Sequence, residues 1–222
     1  MKKLELELEN LKELAAKMGD LAQSMVAHCV AALADPENDT HYEQVAAEEI
    51  RLDQMQLEVD KEAIRLLTVY GPVAGNLRLV LSVARINAEL ERIGDQTVSM
   101  CNHIHLLVSQ PDHTPLAQFE GMTKLVETML YETLKAFRLD DATKARATMA
   151  NDNLVDVIND DIVRELLSGG PDRAAGNSPQ GIADSVAQIM ISQSLERIAD
   201  QACNICEQII YMVEGADVRH QG

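Results

Sequence analysis

Tryptophan is absent from the 222 residues, and aromatic residues of all kinds make up only 3% of them. Strands normally draw on aromatic and β-branched side chains for their cross-strand pairs, so this poverty argues against a β protein. Basic residues are scarce as well: 19 Lys and Arg against 36 Asp and Glu leave a net charge of −17. Such a field repels phosphodiesters and anionic membrane surfaces alike, which argues against a nucleic-acid partner and leaves any membrane link to another protein. No uninterrupted apolar run reaches the roughly 20 residues that a spanning helix needs, so no direct membrane insertion is expected. The opening Met1-Lys2-Lys3-Leu4-Glu5-Leu6-Glu7 carries acids where a signal peptide has its apolar stretch, and the expected location is the cytoplasm. Four cysteines, Cys29, Cys101, Cys203 and Cys206, are too few and too oddly spaced for a disulfide framework. Cys203-x-x-Cys206 lacks a second pair and a neighbouring strand, while Cys101 and Cys206 stand at matching places in the two halves, where a small apolar side chain suits helix packing.

What the chain has in plenty is Leu, Ala, Met and Glu, all strong helix formers. Its most telling feature is a repeat: Leu90-Glu91-Arg92-Ile93-Gly94-Asp95-Gln96 returns as Leu195-Glu196-Arg197-Ile198-Ala199-Asp200-Gln201. Around the first copy, Leu79, Val83, Ile86, Leu90, Ile93, Thr97, Met100, Ile104 and Leu107 alternate in steps of three and four, the mark of a packed helical seam. Ile191, Leu195, Ile198, Ala202, Ile205, Ile209 and Met212 repeat it around the second. Glu91 and Asp95 lie off that seam, as do Glu196 and Asp200, so burial does not explain them. Acids at i and i+4 project from one helix face a turn apart and can offer oxygens to one cation.

Helical periodicity predicts a first helix over 4–34, stopped by Asp35-Pro36, a second over 41–69, and a third running to 107 after Tyr70-Gly71-Pro72-Val73-Ala74-Gly75. On the second, Ile50, Leu52, Val59, Ile64 and Leu66 form an apolar side that Glu49, Asp53 and Asp60 interrupt. His28 falls within the first helix, too little by itself for a phosphotransfer histidine. The second half retraces the plan, with Asp152-x-x-x-Asp156 on a helix over 141–167 where the first half has Glu49-x-x-x-Asp53. A loop over 168–181 then precedes a sixth helix that ends near Gly215. The expected fold is therefore all-α: two tandem antiparallel three-helix bundles built from six long helices, with repeats at 1–110 and 111–222.

Each bundle then brings two acidic pairs together on adjacent antiparallel helices. Either a hard, oxygen-seeking cation such as Fe³⁺, Mn²⁺, Mg²⁺ or Ca²⁺ gathers them, or Arg85, Arg92 and Arg197 neutralise them in salt bridges. Recurrence in four matching places favours the cation. A carboxylate-bridged di-iron enzyme would use similar acids, but it expects Glu-x-x-His, and none of the six histidines has Glu three residues before it. A metal-free helical adaptor remains the other alternative, with acidic strips as docking surfaces.

The chain resembles the PhoU family of phosphate-uptake regulators. The resemblance rests on Gly71-Pro72-Val73-Ala74-Gly75-Asn76-Leu77-Arg78, on the two Leu-Glu-Arg-Ile-(Gly/Ala)-Asp segments, on Asn204-Ile205-Cys206-Glu207 and on the segment from Tyr211 to His220. It implies a cytoplasmic, non-enzymatic negative regulator of the phosphate-starvation response, a homodimer that links the ATPase subunit of a phosphate ABC transporter to a sensor histidine kinase. It also implies a multinuclear metal cluster, iron first, with manganese, zinc or magnesium as alternatives. The ligands would be Glu49, Asp53, Glu91 and Asp95 in the first bundle and Asp152, Asp156, Glu196 and Asp200 in the second. Asn76 and Ser194 stand where the family commonly carries acids.

Overall fold

The computed structural model describes residues 2–108, 117–168 and 179–218. Seven helices occupy them: α1 (Lys2–Ala34), α2 (Asp39–Tyr70), α3 (Ala74–Val108), α4 (Gln118–Leu139), α5 (Ala142–Met149), α6 (Asp152–Ser168) and α7 (Pro179–Glu214). Each boundary has a local cause. The Asn38 side chain accepts the Thr40 N–H at the start of α2. Gly71, at φ 51°, ends α2 by returning its N–H to the Leu67 carbonyl, and Gly215, at φ 74°, does the same for α7 through Tyr211.

The fifth of the six expected helices is broken, a correction to the sequence-based expectation. Asn151 donates to the Thr148 carbonyl at 3.1 Å and accepts from Leu154 at 3.0 Å, turns too tight to continue an α-helix. Asn151-Asp152-Asn153 supplies three side chains that compete with helical backbone bonds, so the helix restarts there. Asp152 consequently opens α6. The loop expected over 168–181 is also shorter at its end, because Pro179, Gln180 and Gly181 already belong to the first turn of α7, where proline is tolerated. The loop over 109–115 and the expected repeat boundary at 110/111 lie outside the described residues.

Helices α1, α2 and α3 pack together as the first repeat, and α4, α5, α6 and α7 as the second, but the most extensive contact in the molecule joins α3 to α7. Arg78 lies against Gly215, Arg85 Nη1 donates to Gln208 Oε1 at 3.2 Å, Asn204 Nδ2 donates to Glu89 Oε2 at 3.3 Å, and Arg197 Nη1 to Gln96 Oε1 at 3.5 Å. Every step up α3 is matched by an equal step down α7, an antiparallel register held for about five turns. The predicted seams form the core: every seam residue from Val83 to Leu107 is fully buried, Leu79 is partly buried, and Ile191 to Met212 are at most 7% exposed. Both repeats contribute to one continuous apolar cluster.

Candidate metal centre

The eight acids fall into two grooves, one between α2 and α3 and the other between α6 and α7. In all four pairs the first acid (Glu49, Glu91, Asp152, Glu196) is half-buried and the second (Asp53, Asp95, Asp156, Asp200) is exposed. Because α2 and α3 run antiparallel, Glu49 feels the charge of Asp95 and Glu91 that of Asp53. Desolvation raises the pKa of both glutamates, and these facing acids push it higher. In the second groove desolvation raises Asp152 and Glu196, with Asp156 adding to both. Asp200 is driven furthest, to about 6, first by desolvation and then by Asp152, Glu196 and Asp156.

No salt bridge relieves this repulsion among the described residues. Arg92 turns back to Glu89 at 2.9 Å, Arg197 reaches Gln96 and Arg85 reaches Gln208, so none of the three arginines that could have neutralised the pairs does so. Arg92 and Arg197 act on the grooves only at longer range, opposing the upward shifts of Glu91, Glu196 and Asp200.

The groove walls depend on residues that sequence reasoning passed over. Gly94 sits between Glu91 and Asp95, and a Cβ there would collide with Leu52, so its absence lets α2 close on α3 at the level of the acids. The buried Asn87 amide spans the same pair of helices, donating to Asp60 Oδ1 at 2.9 Å and to the Gln56 carbonyl at 3.1 Å. Asn159 does so in the second groove, donating to Glu196 Oε2 at 2.8 Å. Cys203, set aside in the sequence only as half of a Cys-x-x-Cys motif, lies close enough to Asp152 for the two groups to shift each other's pKa, and so stands beside the second groove. Its spacing of three and seven residues from Asp200 and Glu196 on one helix was the signal available.

The apolar side expected on α2 needs correction. Leu52, Val59 and Leu66 are buried, but Ile50 and Ile64 are 61% and 64% exposed and join Leu57, at 67%, in an outward stripe. The cause is position: α2 packs on α1 and α3 from one side, leaving its other flank uncovered. Asp53 and Asp60 are accordingly exposed rather than enclosed by apolar neighbours. His28 is tied to Glu48, its Nδ1 3.0 Å from Oε2, and Ser24 Oγ donates to Oε1 of the same carboxylate at 2.8 Å. Ser194 bonds the Met190 carbonyl within its own helix, while Asn76 is exposed.

Fold and grooves together define an all-helical protein of two fused helical repeats, with paired acids across α2 and α3 in the first and across α6 and α7 in the second. Segments 15–104 and 119–209 both match the PhoU domain, and the chain belongs to the PhoU family. It is 32% identical to the phosphate-specific transport system accessory protein PhoU homolog of Pseudomonas aeruginosa, over 97% of this chain and 87% of that protein. Its identity to the Escherichia coli accessory protein PhoU is 28%, over 97% and 87% of the two chains. The crystal structure of PhoU from P. aeruginosa superposes with a TM-score of 0.87 at 30% identity, covering 96% of this chain and 99% of that one. The phosphate transport system regulatory protein PhoU of Streptococcus pneumoniae gives the same TM-score at 26% identity, covering 97% and 99%.

Proposed function

We propose that the protein is a cytoplasmic accessory protein of phosphate transport, without enzymatic activity, that holds a multinuclear metal cluster in its acidic grooves. Iron is the first expectation, then manganese, zinc or magnesium. Acting as a homodimer, it restrains the phosphate-starvation response by linking the ATPase subunit of the phosphate ABC transporter to a sensor histidine kinase. The accessory role in phosphate transport is supported by the names of relatives that span nearly the whole chain. The absence of any helix among the described residues that is long and apolar enough to cross a membrane is consistent with the location.

The observation that carries the metal reading is the gathering of eight carboxylates along two grooves, four half-buried and four exposed, with no ion pair to any of them among the described residues. Desolvating and crowding acids without a counter-charge is unfavourable, and a hard cation reverses that cost. The donor set fits such an ion: Glu49, Asp53, Glu91 and Asp95 would hold it in one groove, Asp152, Asp156, Glu196 and Asp200 in the other. Among the described residues no three His, Cys, Asp or Glu side chains yet converge on a point, so binding requires the exposed aspartates to rotate inward.

Elemental analysis of protein purified without added metal or chelator tests this, beside the Asp95→Asn/Asp200→Asn variant. Stoichiometric metal in the parent that falls in the variant, with helicity retained, is expected. Metal in neither, even after reconstitution, would leave the metal-free adaptor. The outward stripe of Ile50, Leu57 and Ile64 favours that second reading, since it offers a protein partner an apolar surface beside the acids.

A further inference from the structure

One thiol pair in the first repeat belongs to neither groove. Cys29 on α1 and Cys101 on α3 bring their Sγ atoms to 2.8 Å, and both are buried, Cys29 completely and Cys101 to 5% exposure. Cys29 also points its thiol at the Thr97 carbonyl, 3.5 Å away. A disulfide bond measures about 2.05 Å, so the sulfurs stand only about 0.8 Å beyond bonding distance. In the second repeat the equivalent crossing is made by Thr133 and Cys206, 3.2 Å apart, and a hydroxyl there rules out any crosslink. Cys203 stands near Asp152 instead. The dithiol is therefore a property of one repeat alone.

We propose that Cys29 and Cys101 are an oxidative modification site, a dithiol that hydrogen peroxide converts into a disulfide joining α1 to α3. Cys101, the more accessible of the two, reacts first. Its thiolate sulfur attacks one peroxide oxygen, the O–O bond breaks, and Cys101 becomes a sulfenic acid while the departing hydroxide takes up the released proton as water. The Cys29 sulfur then displaces the hydroxyl from Cys101 sulfur, and that hydroxyl leaves as a second water with the Cys29 proton. Two thiols lose two electrons and two hydrogens, and one peroxide is reduced to two waters.

Burial and the neighbouring Cys101 hold the Cys29 thiol well above its ordinary range. The pair is thus slow to react and stays reduced until peroxide accumulates. The bond would span a separation of 72 residues and pin α3 to α1 less than two turns beyond Asp95. Closing so long a loop removes entropy from the unfolded chain, so the oxidised protein melts at a higher temperature.

The full-length protein, treated with hydrogen peroxide under native conditions, alkylated and digested, tests the assignment by peptide mass spectrometry. The expected result is a peptide pair joined through Cys29 and Cys101, alkylation of Cys203 and Cys206 after denaturation, and a raised Tm that a reductant reverses. Cys29→Thr copies the Thr133 and Cys206 pair of the second repeat, so it is expected to fold and to lose both the crosslink and the Tm rise. Sulfinic or sulfonic acid on Cys101 without a crosslink, a bond between other cysteines, or four thiols still free after treatment would each overturn the proposal.

Discussion

At Asp200 the groove wall and three neighbouring acids all favour the protonated carboxyl, which raises its pKa from the ordinary 3.8 to about 6. Between those values the folded chain retains a proton that the unfolded chain releases. The stabilisation this gives is complete below about 3.8 and is lost as pH rises through about 6. In chelator-treated protein, Asp200→Asn is therefore expected to raise Tm at pH 7.5, with the gain vanishing toward pH 4. Solvent screening at this exposed side chain keeps the effect below about 1 kcal/mol. Calorimetry across that range checks it, and a variant less stable than the parent at pH 7.5 would show that Asp200 has a favourable partner. The acidic pairs of the candidate site were legible because i and i+4 spacing is geometry written in the sequence. The roles of Cys203, Asn87 and Asn159 were not, because each depends on what the opposite helix presents.

Two elements meet at Gly94 and Leu52, and at the matching places of the second repeat stand Ala199 and Val155, both buried. A carbon gained on one helix is a carbon lost on the other. Gly94→Ala alone should cost about 1–3 kcal/mol by overpacking, partly offset by about 1 kcal/mol of helix propensity. Leu52→Val alone should cost about 1 kcal/mol by leaving a gap. Together they are expected to restore stability near that of the parent, a coupling that denaturant unfolding of the four proteins would measure. Additive losses would mean that the two side chains do not share the space. Periodicity located α2, yet could not say which of its apolar flanks meets a neighbour, so Ile50 and Ile64 were misassigned. It also carried the fifth helix through Asn151, since local side-chain competition interrupts a helix without breaking its apolar rhythm.

In the whole molecule the antiparallel contact between α3 and α7 fuses the repeats through a shared core. Thermal and denaturant unfolding of the full chain, with or without metal, is expected to be one cooperative transition by circular dichroism, because neither repeat can keep its core when the other opens. Two transitions would show that the repeats fold independently. The sequence by itself determined an all-helical chain, its internal duplication, its buried seams and its four acidic pairs, because apolar period and i, i+4 spacing are local properties of a helix. Only the tertiary structure decided that the acidic pairs lie across from one another with no arginine partner among the described residues, that one flank of α2 stays uncovered and that two sulfurs meet across α1 and α3. Those outcomes depend on which helix lies beside which and in what register, and residues far apart in the chain acquire that relation only when the helices pack.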